Sequence, residues 1–192
     1  MRLYKNKFRI DSTRLKHWDY SSSAYYFVTI CTKGHMCFFG EVVEGEMKLT
    51  SLGVVALKSW QEIPNHFPYV KLDAFVVMPN HIHGIIIIEN DDEVVETQNL
   101  ASLQEFQPNK FGPQSKNMAS IIRGYKIGVK KWATINNIPF AWQERFYDHI
   151  IRNEKNLEDI RSYIVNNPLN WDKDEENIQN KKSRGAKFCI ST

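Results

Sequence analysis

Met78-Pro79-Asn80-His81-Ile82-His83-Gly84-Ile85-Ile86-Ile87-Ile88 is the stretch from which the rest of the chain can be read. Pro79-Asn80 is turn chemistry, because proline presets its φ and asparagine tolerates tight backbone geometry. The β-branched run that follows has the length of a strand. Side chains alternate faces along a strand, so His81 and His83 share one face and Ile82 enters the opposite layer. One pleat repeat sets their Cα atoms roughly 6.5–7 Å apart, close enough for both imidazoles to grip one divalent ion. A single strand histidine is ordinarily a hydrogen-bonding residue. A His-apolar-His pair behind a Pro-Asn turn is a candidate metal grip.

Upstream, Val70 to Met78 reads as a core strand, so His81 to Glu89 returns beside it as the second arm of a hairpin. Tyr25 to Thr32 is aromatic and β-branched, a first strand. Cys37 to Val43 and Glu46 to Leu49, around Glu44-Gly45, form a further hairpin. Ser51 to His66 has helical spacing through Leu52, Val55, Ala56, Trp60 and Ile63, closed by Pro64 and Pro68. Asn117 to Asn136 is a second helix, apolar at Met118, Ile121, Ile122, Tyr125 and Val129 and basic at Arg123, Lys126, Lys130 and Lys131. Phe140 to Ile151 reads as extended. A last helix spans about Asn156 to Asn167, with Asn156 as its cap and Pro168 ending it. The organisation is a basic arm (1–23), one domain (24–170) broken by a polar loop (90–116), and a polar tail (171–192).

With 192 residues, 42% of them hydrophobic, the chain suits one domain with a real core. A net charge of +3 allows a nucleic-acid partner without demonstrating one. Cys31, Cys37 and Cys189 are odd in number and lack CxxC spacing, which argues against a disulfide scaffold or zinc ribbon and fits a reducing cytoplasm. The N-terminal residues lack the apolar core of a signal peptide. The longest apolar runs are too short to span a bilayer, so the expectation is a cytoplasmic protein without a membrane partner.

In the last helix Leu157, Ile160 and Ile164 form the buried stripe. At about 100° per residue, Tyr163 and Asn167 lie on its flank, one turn apart. Two imidazoles and one amide oxygen make three neutral ligands for Mg²⁺ or Mn²⁺, although imidazole also suits Zn²⁺ and Ni²⁺. A phenol beside such an ion is a nucleophile. Its ordinary pKa is about 10, so it needs a nearby cation or base to attack at neutral pH. The matching substrate is a phosphodiester, polarised by the ion and attacked by the tyrosine oxygen. The resulting phosphotyrosyl link conserves the bond energy, so the break can be rejoined without ATP. Tyr147 is the weaker candidate nucleophile, having no amide one helical turn away.

Three blocks occur in order: Met78-Pro79-Asn80-His81-Ile82-His83, then Trp142-Gln143-x-x-Phe146-Tyr147-Asp148-His149-x-Ile151-Arg152, then Tyr163-Ile164-x-x-Asn167-Pro168. From about Tyr25 to Asn170 the chain resembles the single-tyrosine HUH transposases, and the middle block is most similar to the REP-associated tyrosine branch. The resemblance implies an α+β fold, a ferredoxin-like sandwich with helices packed on an antiparallel sheet. It implies metal ligands at His81 and His83, a third at Asn167 where insertion-sequence members usually carry Gln, and the nucleophile at Tyr163. It implies single-stranded DNA beside small hairpins as substrate, a 5′ phosphate joined to the tyrosine and a freed 3′-OH. Insertion-sequence members work as homodimers that exchange the tyrosine helix, which the REP-associated branch need not do. With a DNA substrate, Arg123, Lys126, Lys130, His149 and Arg152 become candidate phosphate contacts, and Trp132, Trp142 and Phe146 candidate stacking platforms. Two other readings stay open: a binding module without chemistry, and a metal-dependent phosphodiesterase that uses water.

Overall fold

The computed structural model describes residues 3–4, 7–8, 18–89 and 116–177. The loop expected over 90–116 lies outside them except for Lys116, as do most of the arm and the tail after Asn177. At the start, β1 (Leu3–Tyr4) pairs antiparallel with β2 (Lys7–Phe8).

The main sheet contains β3 (Ala24–Cys31), β6 (Val70–Val77), β7 (His81–Ile88) and β8 (Tyr147–Ile151), in the order β6-β7-β3-β8 and antiparallel throughout. Between β3 and β6 come the hairpin β4 (Gly40–Val43) and β5 (Glu46–Leu49), then α1 (Ser51–Gln61) and the short α2 (Ile63–His66). Helix α3 (Met118–Ile135) joins β7 to β8, and α4 (Glu154–Asn166) follows β8. Without β1, β2, the β4–β5 hairpin, α2 and α4, the order is βαββαβ, with the strand order of a ferredoxin-like sandwich.

Strand β7 is buried along its whole length, because the sheet is covered on both faces. Ile82, Ile86 and Ile88 enter a large core with Trp60 of α1 and Ile121, Tyr125 and Val129 of α3. Ile85 and Ile87 meet Leu157 and Ile164 of α4 in a smaller core on the other face. Burial on both faces is why the sequence runs apolar instead of alternating. Each isoleucine so buried contributes about 1.5–3 kcal/mol. A one-residue slip would turn both histidines into the large apolar layer, so the same pattern fixes the register. Gly84 serves close packing: a Cβ there would stand 2.3 Å from the Trp60 ring.

Three expectations are corrected by the geometry. The helix expected over 51–66 breaks at Glu62, because Pro64 has no N–H to give the Trp60 carbonyl. Within 140–151 only Tyr147–Ile151 is strand, with an isolated bridge between Thr32 and Trp142. The Trp142 indole donates to the Lys126 carbonyl at 3.0 Å, drawing this segment onto α3 and off the sheet. Helix α4 starts at Glu154, and its cap is Asn153, whose side chain accepts from the Asn156 N–H at 2.8 Å.

Candidate active site

The pairing of β3 with β7 sets His83 opposite Thr29 and His81 opposite Cys31. His83 Nδ1 lies 2.9 Å from the Thr29 hydroxyl. His81 Nδ1 lies 2.8 Å from Asn80 Oδ1. The Asn80 amide nitrogen donates to two carbonyls, those of His35 at 3.0 Å and Glu176 at 2.9 Å. Its other atom is therefore the acceptor, so His81 donates a proton from Nδ1. The two rings sit 4.3 Å apart, centroid to centroid, on the face expected from strand alternation.

Helix α4 crosses that face. The small core of Leu157, Ile164, Ile85 and Ile151 seats it, and the Arg161 guanidinium clasps the Asp73 carboxylate of β6 at 2.6 Å. Tyr163 then stands over the pair, with its hydroxyl 3.1 Å from His83 Nε2. The Phe27 ring lies edge-on to Tyr163 and stacked on His83. The tyrosine reaches the pair within one chain, so no second copy is needed to supply it.

Asn167, the C-cap of α4, is buried. Its amide nitrogen donates to Asp174 Oδ2 at 2.9 Å, and its Oδ1 is buried with no hydrogen-bond partner. Asp174 is itself buried, and one ligand atom from each of His81, His83 and Asp174 lies within 4.8 Å of the others. Two imidazole nitrogens, a carboxylate and a stranded amide oxygen fit a divalent cation. The sequence reading missed Asp174, Thr29 and the positioning part of Asn80. The 3₁₀ turn Pro168–Lys173 carries the chain back so that Asp174 arrives here.

The electrostatics follow from this packing. Burial, and then the neighbouring His81, hold His83 well below the ordinary imidazole value, so it is neutral at pH 7. Burial, and then the Asp174 carboxylate, push the Tyr163 phenol up to about 12, despite a hydrogen bond from Asn167 that lowers it. The phenol is thus a poor nucleophile until positive charge arrives beside it.

Tyr163 and His83 open onto a cleft of about 530 Å³, walled also by Phe146, Tyr147 and Glu175. Tyr147, on β8, is exposed in this cleft. A second groove of about 560 Å³ runs along α3, lined by Arg123, Ile127, Trp142 and Phe146, so Phe146 borders both. Arg123 and Arg152 are exposed. Lys126 donates to the carbonyls of Gln143 and Arg145, at 2.7 and 3.0 Å, and Lys130 donates to that of Phe140. Burial pushes the Lys126 ammonium down to about 8. His149 Nε2 meets Asn156 Oδ1 at 3.2 Å. Tyr125 is a core residue, its hydroxyl donating to the Ala56 carbonyl. No helix among the described residues is long and apolar enough to cross a membrane.

No family model matches the chain. An uncharacterized protein of Haemophilus influenzae is 43% identical over 166 residues, covering 85% of this chain and 91% of that protein. A second H. influenzae protein, provisionally named a REP-associated tyrosine transposase, is 27% identical over 141 residues, 72% of each chain. Among solved structures, a REP-associated tyrosine transposase bound to a REP hairpin matches with a TM-score of 0.57. The match has 19% identity and covers 84% of this chain and 74% of that one. At that identity the likeness is one of fold.

Proposed function

We propose that the chain, which is similar to REP-associated tyrosine transposases, is a single-tyrosine HUH transposase that cleaves and rejoins single-stranded DNA beside small hairpins through Tyr163. One observation carries the reading: the Tyr163 hydroxyl, on an open cleft, lies 3.1 Å from a buried imidazole of the His81–His83–Asp174 cluster.

The Tyr163 oxygen attacks a phosphorus and the P–O3′ bond breaks. The phenol proton is balanced by the proton that the departing 3′ oxygen gains. The products are a 5′-phosphotyrosine and a free 3′-OH, and attack by another 3′-OH reverses the step without ATP. His81, His83, Asp174 and Asn167 would hold a divalent ion, Mg²⁺ or Mn²⁺, which would supply positive charge beside the phenol and the phosphate. Thr29 and Asn80 hold the two imidazoles through Nδ1, a supporting arrangement usual around metal ligands. The α3 groove leads the strand toward Tyr163, with Arg123 and Arg152 as phosphate contacts and Trp142 and Phe146 as stacking surfaces. Lys126 and Lys130 hold the groove's far wall by their carbonyl contacts, and His149 steadies the start of α4 through Asn156. The hairpin as partner follows the solved relative, which is bound to one. A single copy suffices, because Tyr163 acts within its own chain.

The test is to incubate labelled hairpin-bearing DNA with Mn²⁺ and look for a denaturant-stable protein–DNA adduct. The wild type forms it and Tyr163→Phe does not, while His81→Ala loses cleavage and keeps DNA affinity. Cleavage that persists in Tyr163→Phe would make water the nucleophile. Binding without cleavage by the wild type would make the protein a binding module.

A further inference from the structure

We propose that Cys31, His35 and Glu176 form a second cation site, beside the His81–His83 pair, that takes a zinc-class divalent ion. The site stands independently of the DNA chemistry. Each residue offers one ligand atom, and the three atoms lie within 4.8 Å of one another. The set is one sulfur, one nitrogen and one oxygen. A thiolate with an imidazole selects zinc or cobalt over magnesium or manganese, so this site and the sulfur-free first one sort ions differently.

The spacing fits such an ion. His35 Nδ1 and Glu176 Oε2 contact each other directly at 3.0 Å, and an ion would replace that contact with little movement, since two tetrahedral ligands each about 2.0 Å from zinc stand ~3.3 Å apart. Cys31, the last residue of β3, is buried against the sheet, and all three side chains line the 530 Å³ cleft. An ion can therefore enter from solvent and keep a water as its fourth ligand, and on binding the Cys31 thiol proton leaves to solvent.

The backbone brings these residues together deliberately. His35 sits at φ 54, the left-handed region. A residue other than glycine is uncommon there, and such strain gathers at functional sites. The Thr32 hydroxyl closes the turn by donating to the Met36 carbonyl at 2.8 Å. The Asn80 amide clips the carbonyls of both His35 and Glu176. The Glu176 N–H is held in turn by Asp174 Oδ1 at 2.6 Å. An ion here would staple the end of β3 and the turn directly after it to the distant segment that delivers Asp174.

The probe is Co²⁺, titrated into the full chain carrying Cys37→Ser and Cys189→Ser, so that Cys31 is the remaining thiol. The readout is the near-ultraviolet thiolate-to-cobalt charge-transfer band, which the sulfur-free first site cannot produce. The expected result is a band that saturates at one ion, is displaced by Zn²⁺ and not by Mg²⁺, and is lost in Cys31→Ser. In His35→Ala and in Glu176→Gln the affinity read from the band falls by more than about tenfold, since losing a ligand costs at least what losing a supporting contact does. These two side chains are partly exposed, so their variants decide the matter even if Cys31→Ser does not fold. No saturable band, or one indifferent to both His35→Ala and Glu176→Gln, overturns the site.

Discussion

Asn80 concentrates more of the site than any ligand does. Its Oδ1 fixes the proton of His81 on Nδ1, and its amide nitrogen holds the backbone of two segments that wall the cleft. These two jobs can be separated by substitution. Asn80→Ala removes both, and Mn²⁺ affinity should fall about 10–100-fold, the usual cost of losing a second-layer partner of a histidine ligand. Asn80→Asp keeps an acceptor for His81 and loses only the donors. Its Mn²⁺ affinity should stay near that of the wild type, while the segment around Glu176 loosens. Calorimetric titration measures the first effect, and proteolysis after residue 170 the second. Equal losses in both variants would mean that Asn80 acts through the fold and not through the imidazole. Tyr163 sets the complementary demand: its phenol is pushed up to about 12 by burial and by the acidic residues around it, so the loop bringing Asp174 hinders attack until a cation offsets it.

At the scale of elements, the legible parts were those whose apolar period is long and whose neighbours agree. The unbroken isoleucine run gave β7, and helical spacing gave α3 and α4 with their capping ends within a few residues. His81, His83, Tyr163 and Asn167 could be grouped because strand alternation and one helical turn are both local rules. Asp174 obeys no local rule. It sits among acidic residues that read as solvated, and only the fold-back after Pro168 buries it. The 140–146 segment reads as extended, but its aromatic residues pack on Tyr125 of α3 and on Phe38 and Phe39, where extended and irregular backbone look alike in sequence. The α4 cap failed for a subtler reason: Asn153 and Asn156 stand three residues apart and both have capping chemistry. The end of β8 at Ile151 decides for Asn153. Asn153→Ala should therefore cost about 1 kcal/mol in denaturant unfolding. Asn156→Ala, which removes a contact with exposed His149, should cost about 0.5 kcal/mol or less. The reverse order would restore the sequence reading.

As a whole, the molecule has two cores of unequal size on one sheet, and the tyrosine rides on the helix over the smaller one. Elements with less buried apolar contact open first, so α4 should exchange its amide hydrogens before β3 and β7 do. Its seat depends on a charge latch as well, the Arg161 guanidinium on Asp73, with Glu158 as a further partner. Burial alone would raise the Asp73 carboxyl, but hydrogen bonds from Arg161 and from the Ala74 N–H outweigh it, leaving the pKa below the ordinary carboxylate value. A folded-state pKa that is depressed contributes stability fully present above the unfolded value and lost as pH falls through the folded one. Acidification from neutral pH should therefore release α4 first. Hydrogen exchange read by mass spectrometry should show 154–166 gaining deuterium below about pH 4, once intrinsic exchange rates are corrected for pH, while β3 and β7 stay protected. Asp73→Asn should show that extra exchange already at pH 7, where the latch is worth on the order of 1 kcal/mol for a pair this exposed. If α4 and the central strands lose protection together in both conditions, the helix is no separate unit, and its tyrosine is held as rigidly as the histidines it faces.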